Sequence, residues 1–159
     1  MTLRVRQETH STDYSFLSFI AYFFYPPLYL AGPTTTYNAW ISQVRLPQQT
    51  YDTKRMLIYI VRFLICFVTL EAAIHLSYFP ALGANSRNRR IWKKMSAYEL
   101  YGGSYCILKW IWLKFCVIWR FFRLIALLDG IEPPENMARC MSNNWCFDGF
   151  WRMWHRGFN

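Results

Sequence analysis

The amino-acid sequence predicts an all-α integral membrane protein, and three observations support this fold class. Hydrophobic residues make up 54% of the 159 positions and aromatic residues 20%, a larger aromatic share than soluble domains normally carry. A chain this short cannot hide 13 Phe, 11 Tyr and 8 Trp in one core, so much of that surface must face lipid or other protein. Two apolar runs are also long enough to cross a bilayer as helices.

The first apolar run, residues 16–31, is shorter than the about 20 residues that a membrane crossing needs, and it contains Pro26 and Pro27. Proline removes a backbone donor and disfavours helix at the residue before it, so the run predicts two half-helices or a re-entrant element. The freed backbone groups of such an element must be buried in protein or line a cavity. We therefore expect this segment to border a site. Residues 37–55 are amphipathic and predict a surface segment.

Residues 56–79 are the best prediction of a transmembrane helix, because only Arg62, Glu71 and His75 interrupt them with ionisable groups. Glu71 and His75 lie four residues apart on one helical face, and we expect them to form a structural pair and not a proton relay. The loop that follows is basic and favours the cytosolic side by the positive-inside rule. Its cations are Arg87, Arg89, Arg90, Lys93 and Lys94.

Residues 105–128 predict a second crossing. On a helical wheel Lys109, Arg120 and Arg123 fall within about 60° of one another, so we expect this cationic stripe to face protein, water or phosphate, or to snorkel to the membrane interface. Gly130 suits the end of the helix, and the prolines at 133 and 134 predict the start of a short helix over about 135–143.

The final stretch, residues 149–159, predicts one more helix. Its apolar face would hold Phe147, Trp151, Trp154 and Phe158. His155 lies at the edge of that face, with Arg152 and Arg156 beyond it. A neutral imidazole there could accept a proton from an alcohol or a water, and nearby positive charges would help to keep it neutral. The alternative is a packed structural histidine, and the spacing alone leaves both open.

The charge and the cysteines restrict the other function classes. The formal net charge of +9 could suit nucleic acid, but several basic residues lie inside or beside apolar runs, so we expect no nucleic-acid partner. Anionic lipid head groups or another anionic ligand fit this charge better. The five cysteines form no C-x-x-C pair, and the spacing of Cys140, Cys146 and His155 matches no usual zinc site, so no metal is expected.

Several ordered segments resemble the membrane-bound O-acyltransferase (MBOAT) superfamily. They are LDGIEPPENM at 128–137, RCMSNN at 139–144, and GFWR with WHR and Asn159 within the final stretch. Within that superfamily the sequence is most similar to the branch that holds the fungal glycerol-uptake proteins and hedgehog acyltransferase. YPPLYLAGP at 25–33 and the WLKF and WRFFR segments of the second predicted crossing resemble the same branch.

This resemblance implies transfer of a fatty acyl group from acyl-CoA to a hydroxyl acceptor in the endoplasmic reticulum membrane. The acceptor would be a lipid such as a lysolipid or the lipid of a glycosylphosphatidylinositol (GPI) anchor, and the expected partners are membrane lipids, acyl-CoA and the remainder of the chain. No cofactor is expected besides the acyl-CoA donor. The expected catalytic residue is His155, and the expected substrate-binding residues are Trp151, Arg152, Trp154, Arg156 and Asn159.

The resemblance also limits the expectation. Family members are several times longer, so residues 1–159 would be one partial domain of a larger multi-span bundle. A Trp-His or Trp-Asn pair marks the position of His155 in the family, whereas the histidine usually credited as the base lies some tens of residues beyond it, past Asn159. The 159-residue piece is therefore expected to be inactive alone. Two alternatives remain open: a transporter of the glycerol-uptake type, or a catalytically dead relative that acts as a partner.

Overall fold

The computed structural model describes residues 14–47, 50–78, 81, 89–137 and 140–158, and these are mainly helical with no β-strand among them. The helices are α1 (Phe16–Phe23), α2 (Pro26–Tyr29), α3 (Tyr37–Arg45), α4 (Thr53–Leu76), α5 (Arg89–Lys94), α6 (Ala97–Leu128) and α7 (Phe147–Met153). Two 3₁₀ turns, Met141–Asn143 and Arg156–Phe158, lie near the end of the chain. The mainly helical structure agrees with the predicted all-α class.

The predicted break in the first apolar run is confirmed. Helix α1 ends at Phe23, and α2 begins at Pro26, where a missing N–H costs nothing because the first turn of a helix has no acceptor for it. The chain then folds back sharply: a Cβ on Gly32 would overlap the carbonyl oxygen of Pro27, so only glycine fits there. Whether this segment is re-entrant stays a prediction.

The prediction of a surface segment over 37–55 is wrong for one face of helix α3, which is buried on protein. The Thr36 hydroxyl caps it by accepting a hydrogen bond from the Ala39 N–H at 3.3 Å, and the helix ends at Arg45. One face is buried, because Trp40 and Ile41 pack in a core with Ala126 and Ile131. The amphipathic pattern was therefore correct, but its apolar face packs on protein.

Helix α4 is the one helix among the described residues that is long and apolar enough to span a membrane, with 24 residues and a mean hydropathy of 2.2. Its range is three residues earlier than the predicted 56–79 at each end. Many of its apolar side chains are exposed, including Ile65 at 60% and Val68 at 63%, as expected of a surface that faces lipid. The predicted pair is present, with 3.4 Å between His75 Nε2 and Glu71 Oε2.

Helix α6 contains the whole of the second predicted crossing and is longer than predicted, with 32 residues. It begins earlier because Ser96 and Glu99 form a reciprocal capping box: the Ser96 hydroxyl accepts from the Glu99 N–H, and the Glu99 carboxylate accepts from the Ser96 N–H at 2.7 Å. Because of its cations, α6 is less apolar than a simple membrane-spanning helix, so the second membrane crossing stays a prediction.

The cationic stripe of α6 faces protein, which is one of the surroundings predicted for it. Arg120 Nε lies 3.0 Å from Glu135 Oε1, and a second guanidinium, that of Arg123, lies 3.3 Å from Glu135 Oε2. Arg123 also donates to the carbonyl oxygen of Pro133 at 2.9 Å, and only 5% of this residue is exposed. We call Arg120, Arg123 and Glu135 the ion cluster.

The ion cluster also contacts α4 and Tyr51, which lies just before α4. Arg123 lies over the rings of Tyr51 and Tyr59, with its guanidinium carbon 5.5 and 5.1 Å from their centroids. Arg120 donates to Cys66 Sγ at 3.2 Å. Because Tyr59 and Cys66 belong to α4, the two arginines of α6 join both long helices to the segment that carries Glu135.

The short helix predicted over 135–143 is wrong for the described residues. Gly130 ends α6 with a φ of 79°, as its sequence position predicted, but residues 131–137 are not helical. Pro133 and Pro134 supply no N–H, and the Glu135 carboxylate binds the two arginines instead of a helix N-terminus. The Glu132 N–H donates to the buried Gln43 side chain at 2.6 Å, which joins this segment to α3. In the rest of the predicted range, Met141–Asn143 is a 3₁₀ turn.

Replacing Glu135 with glutamine should strongly destabilise the full-length protein, because two partly buried guanidinium groups would lose their shared anion. We expect a loss of about 2–4 kcal/mol, somewhat less than for a fully buried pair because about a quarter of the Glu135 side chain is exposed. Thermal or denaturant unfolding in detergent measures this loss. Asp148→Asn is the matched control, since Asp148 pairs with Arg152 on the exposed surface and should change stability by only about 0.5 kcal/mol. Equal effects of the two substitutions would contradict the role of the ion cluster.

Candidate functional site

The candidate site forms where helix α7 ends. The single helix predicted over 149–159 is wrong: α7 stops at Met153, Trp154 is extended, and His155 has a φ of 49°. Trp154 leaves the helix because it pairs with Met137 in an isolated antiparallel bridge. Its ring also packs on two aromatic side chains of α6, with centroids 5.6 Å from both Phe115 and Trp119. Burial of a tryptophan against these rings outweighs two further turns of surface helix.

The His155 side chain lies beside that aromatic wall. Its ring centroid is 4.7 Å from that of Trp119 at an interplanar angle of 89°, an edge-to-face contact. The residue is partly buried and sits between α7 and the final 3₁₀ turn. The imidazole is thus packed against Trp119 and partly exposed.

Asn136 holds the turn that follows His155. It is 2% exposed, its backbone oxygen accepts from the Arg156 N–H at 3.4 Å, and its side-chain Oδ1 accepts from the Gly157 N–H at 3.2 Å. Met137, the next residue, makes the bridge to Trp154. Two consecutive residues therefore bind the chain on both sides of the histidine. Sequence reasoning quoted Asn136 within a motif but gave it no role.

The broken segment reaches this turn through Thr34. A Cβ added to Gly157 would lie 2.9 Å from the Thr34 nitrogen and 3.0 Å from its oxygen, closer than real Cβ atoms approach backbone. The loop after α2 and the turn after His155 are thus in direct contact. The segment is also joined to the end of α6, because the Tyr25 hydroxyl donates to Asp129 Oδ2 at 2.6 Å.

The other predicted site residues are placed differently. Arg152 pairs with Asp148 at 3.0 Å on the exposed surface, and the Arg156 side chain is exposed. Trp151 is 49% exposed, and its ring contacts Phe147 and Phe150 of its own helix. Asn159 lies outside the described residues. Of the predicted set, the structure brings His155 and Trp154 together at α6.

A second polar cluster, which sequence reasoning missed, lies nearer the N-terminus of α6. Lys109 Nζ donates to Cys140 Sγ at 3.0 Å, and the Tyr105 and Ser142 hydroxyls are 2.7 Å apart. Burial opposes ionisation of the thiol, but hydrogen bonds from Lys109 and the Ser142 backbone outweigh it and lower the pKa of Cys140.

A largely apolar cavity of about 450 Å³ adjoins this cluster. Its lining includes Tyr105, Leu108, Met141, Ser142, Phe147 and Phe150. Among the described residues no three His, Cys, Asp or Glu side chains are grouped as a metal site.

Because Lys109 lowers the pKa of Cys140, Lys109→Met should raise that pKa and reduce the thiolate fraction at neutral pH. We expect Cys140 to react severalfold more slowly with iodoacetamide at pH 7, and the difference to vanish at a pH above both pKa values, where the thiol is fully ionised. Mass spectrometry of the labelled peptide gives the rate. Lys114→Met is the control, since Lys114 lies over Trp110, 5.4 Å from the ring centroid, and should leave the rate unchanged. An unchanged rate in Lys109→Met would contradict the pairing.

Comparison with known proteins identifies the family of the chain. The family model described as MBOAT, membrane-bound O-acyltransferase family, matches residues 1–159. The chain is 43% identical over 156 residues to membrane-bound O-acyltransferase gup1 of Schizosaccharomyces pombe, covering 98% of this chain and 26% of that protein. It is 38% identical over 147 residues to GUP1 of Saccharomyces cerevisiae, covering 92% of this chain and 26% of that protein.

A more distant match is the protein-cysteine N-palmitoyltransferase HHAT of Mus musculus, 25% identical over 150 residues, covering 92% of this chain and 29% of that protein. The chain thus spans between a quarter and a third of the length of these curated relatives. The match of the family model to every residue, together with the mainly helical fold and the membrane-length helix α4, confirms the resemblance seen in the sequence. The chain belongs to the membrane-bound O-acyltransferase family.

Proposed function

We propose that the protein to which these residues belong transfers a fatty acyl group from acyl-CoA to a hydroxyl acceptor within a membrane. The observation that carries this proposal is the turn that presents His155, held between the aromatic wall of α6 and the loop that follows the broken segment. Membership of the O-acyltransferase family supports the reaction class. His155 is assigned as a catalytic residue, with Trp154 beside it.

The chemistry needs a group that can accept a proton. The acceptor hydroxyl attacks the thioester carbonyl, a C–O bond forms, the C–S bond breaks, and the hydroxyl proton passes by way of a base to the departing CoA thiolate. A neutral imidazole can take that proton during the attack, and it can return it to the leaving group. The family resemblance also implies a second histidine further along the full-length chain. In the proposed mechanism His155 binds the acceptor hydroxyl and contributes to its deprotonation.

The relatives favour a hydroxyl acceptor over an amine. Those that share more than a third of aligned positions with this chain are described as O-acyltransferases, whereas the mouse protein described as an N-palmitoyltransferase shares a quarter. A lysolipid or the lipid of a GPI anchor, reached from the endoplasmic reticulum membrane, is the acceptor class that we propose. Three of the predicted substrate-binding residues, Arg152, Arg156 and Asn159, could donate to the oxyanion of the tetrahedral intermediate. The exposed pairing of Arg152 with Asp148 makes Arg152 the weakest of these candidates.

Transport is less well supported than acyl transfer. Buried charges along a helix would suit a permeation path, but both arginines of the ion cluster are paired with Glu135 and joined to α4. These cations contribute to the packing of the two long helices. The acyltransferase proposal therefore accounts for more of the observed contacts.

Two substitutions of His155 in the full-length protein test its role. His155→Ala should lower kcat for acyl transfer by a factor of about 10²–10⁴, because it removes both proton transfer and hydrogen bonding. His155→Asn keeps a hydrogen-bonding side chain but cannot act as a base, so a base role predicts an equal loss and a binding role predicts a smaller one. Radiolabelled acyl-CoA with a lysolipid acceptor provides the assay. Full activity in His155→Ala would exclude a catalytic role.

The 159-residue chain by itself should not transfer acyl groups, because the proposed reaction needs the second histidine of the family. Membranes that contain only residues 1–159 should show background activity, whereas membranes with the full-length protein at equal abundance should be active. Acyl transfer by the short chain above background would show that these residues hold a complete catalytic site. Activity regained on co-expression with the remaining segments would support the division of the site.

A further inference from the structure

Only one of the two polar atoms in the Asn136 side chain has a hydrogen-bond partner among the described residues. Its Oδ1 binds the Gly157 N–H, but its Nδ2 is buried and has no hydrogen-bond partner among the described residues. A buried N–H group without an acceptor is costly, and native structures seldom keep one unless a ligand or another segment satisfies it. The amide therefore points to a polar group that binds here.

A second observation lies on the other side of the same turn. The Thr34 hydroxyl is also buried and without a partner in the described part of the chain, and it lies against Gly157. Two unsatisfied polar groups from distant segments thus adjoin one residue, two positions after His155. This coincidence favours a polar ligand group at the turn over an isolated packing defect.

The turn leaves few other donors for such a ligand. The backbone N–H groups of the two residues that follow His155 both donate to Asn136, the Arg156 N–H to its carbonyl oxygen and the Gly157 N–H to its Oδ1. Neither backbone group can therefore stabilise a developing negative charge. The Asn136 side-chain N–H and the Thr34 hydroxyl are the neutral donors that this arrangement leaves unused among the described residues. Of the two, the amide is held in a fixed orientation, because its Oδ1 accepts from the Gly157 N–H.

We propose that Asn136 Nδ2 donates a hydrogen bond to the carbonyl oxygen of the acyl thioester and stabilises the oxyanion that forms when the hydroxyl attacks. This inference rests on the proposed function and names a group of its donor substrate. The amide is preorganised, because Gly157 fixes its Oδ1 and the ion cluster binds the adjacent Glu135. A fixed neutral dipole in a site that excludes water is effective for this purpose. Asn136 moves no proton and forms no covalent bond.

Asn136→Asp in the full-length protein is the sharpest test, since the nearly isosteric aspartate keeps an acceptor for the Gly157 N–H and removes the donor. We expect kcat to fall by a factor of about 10²–10³ while KM for acyl-CoA stays within a few-fold. Because a carboxylate at this buried position is costly, the unfolding midpoint should fall by several degrees while the variant stays folded at the assay temperature. Asn143→Asp, at an exposed asparagine, is the matched control and should leave kcat unchanged.

A ligand without the carbonyl separates recognition of this oxygen from a general structural effect. S-alkyl-CoA, in which a methylene replaces the thioester carbonyl, should bind equally well to wild type and Asn136→Asp. Acyl-CoA should lose a few-fold in affinity in the variant, in line with the expected change in its KM. Equal losses for both ligands, or a kcat within threefold of the wild type, would overturn the proposal.

A measurement on the wild type keeps the proposal testable if the variant does not fold. The infrared band of a ¹³C-labelled thioester carbonyl should shift to lower frequency when acyl-CoA binds without an acceptor, because the oxygen accepts a hydrogen bond. An unshifted band would refute the proposal. A wild-type protein that neither binds nor uses acyl-CoA would remove the proposed function as well, whereas an active protein with an unshifted band removes only the role of Asn136.

Discussion

Glu135 lies between two guanidinium groups of α6, and the position of the candidate site depends on that contact. Two arginines on a helix rich in aromatic residues would be costly in an apolar environment without a counter-ion. One carboxylate from a non-helical segment meets both, and the same segment carries Asn136 and Met137, which bind the turn around His155. Adjacent residues thus neutralise the arginines of α6 and hold the turn around His155 in place.

The site itself is assembled from segments far apart in sequence. Thr34 comes from the loop after the broken run, Asn136 from the segment after α6, and His155 from the turn after α7. Trp119 of α6 provides the common surface on which the later two segments pack. No single helix therefore presents the imidazole.

Sequence reasoning succeeded where local rules determine the structure. The break at Pro26, the long helix over 53–76, the i to i+4 pair within it and the glycine at the end of α6 each follow from neighbouring residues. The cost of exposing charge to lipid predicted that the cationic stripe would avoid lipid, and the structure shows it facing protein.

The failures all involve long-range pairing. Nothing near residue 135 indicates that its carboxylate binds two arginines 12 and 15 positions earlier, and nothing near residue 154 indicates a bridge to Met137. The prolines at 133 and 134 therefore predicted the start of a helix, and helical periodicity extended the final segment as a helix. The contact between Lys109 and Cys140, 31 positions apart, was invisible for the same reason.

The left-handed backbone of His155, with a φ of 49°, restricts which residues can occupy this position. A left-handed backbone strains most L residues, β-branched ones severely, but asparagine, aspartate and histidine adopt it several times more often than the rest. The pair that the family resemblance implies here, Trp-His or Trp-Asn, uses two of those three. The peptide conformation, and not only the chemistry of the side chain, thus restricts which residues evolution can place at this corner.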